Sequence, residues 1–198
     1  MKKYTPEELI QFETNVAEIF NSGVIKAPVH LYDGNEEQII QVFDNIKDED
    51  WVFCTWRSHY QCLLKGVPQE KLMEDIVKGK SITLCYPEFN IYSSAIVTGS
   101  IPIATGVALD IKRKNGTNHV WCFVGDMAFE TGQFYEMHKY ATNLNLPIVF
   151  IVEDNGVSTN TPTEDTWGGI KREIPEDVIW YNYKKEWPHY GTGKWVIF

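Results

Sequence analysis

The sequence predicts an α/β protein with a parallel sheet flanked by helices. Two short runs carry most of that expectation: residues 120–124 (VWCFV) and 148–152 (IVFIV), both wholly apolar. Runs this short and this apolar suit strands buried on both faces of a parallel sheet. Between them Phe134, Met137, Ala141 and Leu144 recur at helical spacing, with Glu136 and Lys139 on the other side. The unit reads strand, loop, helix, strand, so the C-terminal ends of its two strands share one edge of the sheet. Asp126 leaves the first strand at that edge and Asn155 leaves the second. A carboxylate and an amide are thus brought to the crevice where α/β sheets hold ligands.

The chain has 198 residues, enough for one domain with a full core. We expect a single domain over 1–198, with N-terminal helices over 1–50, a core over 51–167 and an aromatic tail over 168–198. The net charge of −9 and a pI near 5.0 argue against nucleic acid and anionic membranes as partners. The one basic block, Lys112-Arg113-Lys114, falls at a predicted helix end, where cations offset the helix dipole. No apolar run approaches membrane-spanning length, and the opening MKKYTPEELI lacks the apolar centre of a signal peptide. Cys54, Cys62, Cys85 and Cys122 form no CxxC pair, and Cys54 and Cys122 sit in apolar runs as buried thiols. A reduced, cytoplasmic protein is expected.

Taken in order, Thr5-Pro6-Glu7-Glu8 predicts a helix start, with Thr5 as cap, Pro6 at the first position and Glu8 closing a capping box. Leu9, Phe12, Val16, Ile19 and Phe20 make its apolar face, and Gly23 ends it. Pro28 keeps the next stretch extended, Asp33-Gly34 turns it, and a helix follows from about Asn35. Residues 51–55 (WVFCT) read as a buried strand, with Trp56-Arg57-Ser58-His59 at its C-terminal end. KGVPQEKLMEDIVKGK is an amphipathic helix closed near Gly79, and residues 80–98 read as irregular. Ile101, Ala104, Ala108 and Ile111 form one face of a further helix, in which Gly106 allows close approach to the sheet. In the tail, GTG and KWVIF read as a turn and an edge strand.

Two hard oxygen ligands at sheet ends suit Mg²⁺, which takes its remaining ligands from phosphate and water. The loop MAFETG then leads into a helix N-terminus, which favours an anion. Metal and helix end together make a diphosphate site. Arg57 can fork onto a phosphate at the same edge.

Several motifs, in order, resemble those of the alpha subunits of thiamine diphosphate-dependent 2-oxo acid dehydrogenases. They cover about residues 4–167. HLYDGNEE is similar to the family's His-Leu-Tyr-x-Gly-Gln-Glu, and Trp56-Arg57-Ser58-His59-Tyr60 to its Tyr-Arg-x-His-Gly. Ala95-Ile96-Val97 stand at its Gly-Ile-Val. Gly125, Asp126 and Asn155 match its Gly-Asp-Gly and Asn-Asn, with Met127 and Asp154 in place of the second Gly and the first Asn. The loop SITLCYPEF replaces its Gly-Gly-Ser-Met-His run.

This resemblance implies a thiamin diphosphate-binding fold, here the diphosphate-binding domain. It implies His30 and His59 near the reacting centre, with Trp56, Arg57, Ala95, Val97, Gly125, Asp126, Met127, Ala128 and Asn155 holding thiamine diphosphate. Asp126, Asn155 and Val157 would hold Mg²⁺. A separate beta-like subunit would bind the pyrimidine and supply the activating Glu, making the protein a homo- or hetero-oligomer that acts on a 2-oxo acid. A transketolase-like two-carbon transfer from a ketose, a non-catalytic regulatory or assembly subunit, and an unrelated Mg²⁺/phosphate enzyme are the competing readings. Beyond residue 167 the match stops, and the aromatic rings of the tail are expected mainly to cover the chain's own sheet edge, with some left for a subunit contact.

Overall fold

The computed structural model describes residues 3–169 and 173–196. Thr5 caps α1 (Pro6–Asn21) as its motif predicts: the Thr5 hydroxyl accepts from the Glu8 N–H, and the Glu8 carboxylate accepts from the Thr5 N–H. Caps of this kind contribute about 1 kcal/mol. Leu9, Phe12, Val16 and Phe20 are buried from α1, and Gly23 leaves it with φ of 76°. The Asp33-Gly34 turn then leads into α2 (Glu36–Phe43). Next comes β1 (Trp51–Cys54), followed at once by α3 (His59–Leu64). The sequence does not announce α3, because every residue of it is buried and no amphipathic period marks it. The predicted amphipathic helix is α4 (Gln69–Val77).

Residues 80–98 correct the expectation of an irregular loop. They hold β2 (Cys85–Tyr86), a 3₁₀ turn at Pro87–Phe89 and β3 (Ile91–Ser93), which lies parallel to β1. Strands this short carry no readable alternation, and Asn90, at φ of 54°, turns the chain between them. In α5 (Ser100–Arg113) the face of Ile101, Ala104, Ala108 and Ile111 is buried, and Lys112 and Arg113 occupy the last turn. Gly106 is a second correction: it is exposed, and a Cβ there would meet nothing within 4 Å.

The central unit runs β4 (Val120–Gly125), α6 (Asp126–Phe129), α7 (Gly132–Asn143) and β5 (Ile148–Asp154). Thr131 caps α7 by accepting from the Phe134 N–H. Phe134 and Ala141 are buried, whereas Leu144 lies one residue past the helix and is 38% exposed. Leu146 is buried in its stead. A small hairpin follows, β6 (Val157–Ser158) and β7 (Thr161–Pro162), then α8 (Thr163–Thr166) and β8 (Val178–Asn182).

The main sheet has the order β2-β3-β1-β4-β5-β8, with only β2 antiparallel to its neighbour. Side chains alternate between two cores. Trp121, Phe123 and Ile151 pack with α1–α4 residues on one face, and Cys122, Val124, Phe150 and Val152 pack with α5 and α7 residues on the other. Coverage of both faces is why these strands are unbroken apolar runs. The tail supplies its edge strand earlier than KWVIF. Val178–Asn182 pairs with Phe150–Asp154, residues 194–196 form no strand, and residues 197 and 198 lie outside the described residues. Val178 is buried and Trp180 meets Phe129 edge-on at 5.0 Å, so β8 has apolar residues for the α5/α7 face that KWVIF does not need to provide. Among the described residues no helix is long and apolar enough to cross a membrane.

Candidate functional site

The parallel strands deliver a crevice at their C-terminal edge. Thr55, Trp56 and Arg57 arrive from β1, Val97 and Thr98 from the turn before α5, and Gly125, Asp126, Met127 and Ala128 from β4 and α6. Glu153, Asn155, Val157, Ser158 and Thr159 come from β5 and the hairpin, and Tyr183, Lys185 and His189 from the chain after β8. A second cavity of about 550 Å³ lies beyond Asp126, Asn155 and Tyr183, walled by Trp167, Trp180 and Glu130 among others.

Asp126 is buried at the join of the two spaces. Its carboxylate accepts from the Thr163 hydroxyl and from the Asn155 backbone N–H. Burial pushes its pKa up to about 6, against the pull of the Thr163 hydrogen bond. Asn155 Oδ1 accepts from the Val157 N–H at 3.1 Å while its amide donates to the Tyr183 hydroxyl at 3.0 Å. Asp154, beside it, accepts from the Gly156 N–H and from Asn182 Nδ2 at 2.6 Å, which ties the turn to β8. Among the described residues no cluster of three His, Cys, Asp or Glu side chains could hold a metal. A cation at Asp126 would complete its shell from neutral oxygens and from its ligand, the habit of Mg²⁺.

Met127 stands in α6 with ordinary helical backbone, so the position needs no glycine, and Trp167 Nε1 approaches its sulfur at 3.3 Å. Arg57 is buried, held by Nε donating to the Leu31 carbonyl at 2.9 Å. Trp56 Nε1 is buried with no hydrogen-bond partner among the described residues. An unpaired donor in a crevice wall costs about 1–3 kcal/mol unless a ligand meets it. Ala95 is exposed and does not line the crevice, although Val97 from the same turn does.

The two histidines fall differently. His59 is fully buried, with Nδ1 on Glu13 at 3.0 Å and Nε2 on the Ser81 hydroxyl at 2.9 Å. It ties α1 to α3 and lines neither space at Asp126. His30 lies one ring behind the crevice wall, its centroid 5.8 Å from that of Trp56 and 4.6 Å from that of His189. Its Nδ1 must carry the proton, because it donates to the His189 carbonyl at 2.6 Å. Burial, the largest influence, lowers its pKa from 6.5 to about 4. Below pH 6.5 the unfolded chain takes up this proton first, so stability is full above that pH and is lost as pH falls towards 4. The loss amounts to about 3 kcal/mol. His30→Gln is expected to flatten the slope of urea-unfolding stability between pH 6.5 and 4, and an unchanged slope would assign it to another group.

Sequence reading did not find Glu153, Thr163, Tyr183, Lys185 or His189. Glu153 is 5% exposed, accepting from Tyr181 at 2.6 Å, Tyr32 at 2.8 Å and Asn35 at 3.1 Å. A charged residue in strand register directly after an apolar run was its signal. Nothing local marks the other four: Thr163 follows the β6–β7 hairpin, and the place of Tyr183, Lys185 and His189 depends on where the tail returns.

The dehydrogenase E1 component family matches residues 6–168. The subunit alpha of acetoin:2,6-dichlorophenolindophenol oxidoreductase from Bacillus subtilis (strain 168) is 35% identical, covering 79% of this chain and 50% of its own. Pyruvate dehydrogenase E1 component subunit alpha of Porphyra purpurea is 30% identical, covering 73% and 47%. The protein of that name from Rickettsia bellii (strain RML369-C) is 32% identical, covering 77% and 50%. The chain therefore spans about half the length of these curated relatives. Because the match runs through every element from α1 to α8, and so through all of the crevice but the tail's share, the chain belongs to the dehydrogenase E1 component family, a thiamine diphosphate-dependent family.

Proposed function

We propose that this chain is the diphosphate-binding, alpha-like part of a thiamine diphosphate- and Mg²⁺-dependent enzyme acting on a 2-oxo acid. A separate beta-like subunit would complete the site and supply the Glu that activates the pyrimidine. One observation carries the reading: Asp126, Asn155 and Val157 share a crevice with Arg57 and Trp56 in a chain of this family.

In this reading Asp126 gives the cation its one formal charge, and the Asn155 amide oxygen and the Val157 carbonyl give neutral oxygens. Arg57 binds phosphate with its terminal nitrogens, since among the described residues only its Nε is hydrogen-bonded. The Trp56 N–H, unpaired among the described residues, supplies the donor that a Tyr hydroxyl supplies elsewhere in the family. Gly125 to Ala128 offer backbone at the start of α6, and Val97 stands beside the ring portion of the ligand. His30 orients Trp56 and His189 from behind, and His59 holds the helices together. Thiamine diphosphate, when bound, supplies the carbon nucleophile for the 2-oxo acid carbonyl and takes up electrons after decarboxylation.

The test is calorimetric titration of the chain with thiamine diphosphate, with and without MgCl₂, followed by dye reduction with 2-oxo acids once a companion subunit is added. Binding is expected only with Mg²⁺. Arg57→Ala is expected to weaken it by about 1.5–3 kcal/mol, the worth of a charge-assisted bond. Binding that ignores Mg²⁺, or no binding at all, would overturn the proposal.

A further inference from the structure

Residues 173–196 lie beyond the family match at 6–168, yet they return to the crevice. Their path is fixed by backbone bonds to the stretch around His30. The N–H groups of Glu186 and Trp187 donate to Asp33 Oδ2, the His189 carbonyl accepts from His30, and the Gly191 N–H donates to the Val29 carbonyl at 2.7 Å. Lys185 and His189 line the same crevice as Arg57, and the His189 ring stands 6.2 Å from that of Trp56.

We propose that Lys185 and His189 form, with Arg57 and the Trp56 N–H, an anion clamp that the tail adds in cis to the diphosphate site. The ligand class is a diphosphate carried with Mg²⁺. This deepens the function proposed above and rests on it.

Among the described residues neither Arg57 nor Lys185 has a carboxylate within ion-pair distance. Like charges gathered in a half-buried wall repel one another unless an anion joins them. Burial first, and then the Arg57 charge, lowers the pKa of both Lys185 and His189, and the Asp33 charge offsets this in part at Lys185. Trp56, from the same wall, adds a buried N–H that has no hydrogen-bond partner among the described residues. The crevice thus gathers Arg57, Lys185 and the His189 imidazole with the Asp126 carboxylate, while the Glu153 carboxylate is taken up by Tyr181, Tyr32 and Asn35; that set matches an anion bridged to a cation.

The experiment is calorimetry of the intact chain with inorganic pyrophosphate and MgCl₂, and with thiamine diphosphate and MgCl₂, at two KCl concentrations. Lys185→Met is expected to weaken both ligands by about tenfold or more and to reduce the salt dependence. Lys185→Arg should keep the affinity, and Lys184→Met, which alters an exposed lysine outside the crevice, should match the parent chain. His189→Gln is expected to weaken pyrophosphate by several-fold. If Lys185→Met binds as the parent does, or Lys184→Met loses as much, the clamp is wrong while the proposed function stands. If Lys185→Met melts at a lower temperature, Lys185→Arg decides: a charge-keeping variant that also loses affinity overturns the clamp. If the parent chain binds neither ligand, the proposed function and the clamp fall together.

Discussion

Asp126→Ala is expected to abolish Mg²⁺-dependent binding of thiamine diphosphate, a loss of more than about 100-fold, while the chain stays folded. The magnitude follows from the ligand set. Removing a group that only supports a metal ligand already costs about 10–100-fold, and Asp126 would be the sole anionic ligand, with no cluster of acids, histidines or cysteines among the described residues to replace it. The fold should survive because burial disfavours this carboxylate, holding its pKa near 6. In the folded chain it is protonated more readily than in the unfolded one, so its contribution to stability falls as pH rises from about 4 to 6 and remains unfavourable above. Losing it leaves the Thr163 hydroxyl and the Asn155 N–H without that acceptor but removes a buried charge. The same pKa gives the binding a pH dependence: protons compete with the cation once pH falls through about 6, so affinity for Mg²⁺ should decline there. Calorimetry across pH 5–8 with thermal melts of both chains measures each part. An Asp126→Ala chain that binds as the parent does removes Asp126 from the site.

How much of this was legible in the sequence depends on how local each signal was. The strands at 120–124 and 148–152 and the helix at Pro6 declare themselves, because burial on two faces and a capping box each leave a pattern within a few residues. The crevice residues Arg57, Asp126 and Asn155 follow from topology, since parallel strands must bring their C-terminal ends to one edge. The short β2 and β3 have too few residues to show a period, and α3 hides because it is buried all round. Gly106 was misjudged because a glycine in a helix signals close packing only when something stands opposite, which sequence does not reveal. The tail was the hardest part. Its aromatic surplus announces burial, but not that Val178–Asn182 would pair with β5, or that Lys185 and His189 would then reach Arg57. The strand pairing joins residues 28 positions apart, and Lys185 and His189 stand more than a hundred positions from Arg57, so no short window contains both partners.

Ending the chain before Pro175 is expected to destabilise it beyond recovery and to cause aggregation. The loss begins with β8, whose parallel pairing covers β5 from Phe150 to Asp154. Without it the sheet presents an unpaired edge that carries the apolar Phe150, Ile151 and Val152, a template on which chains associate. Val178 and the Phe129–Trp180 contact leave one face of the sheet. On the other, Glu153 loses the Tyr181 hydroxyl that donates to it at 2.6 Å, while staying buried beside β4. Leaving such a carboxylate short of a donor costs about 1–3 kcal/mol. Asp33, His30 and Val29 also lose their backbone partners in the tail. Several losses of this size together match the whole stability of a domain, about 5–15 kcal/mol. Tyr181→Phe isolates one of them: the ring stays, only the hydroxyl goes, and urea unfolding should show a loss of about 1–3 kcal/mol with no aggregation. Light scattering and urea titration of the two variants, beside the intact chain, carry the test. A truncated chain that is monodisperse and melts with the parent would mean that β8 and the tail rest on the sheet without supporting it.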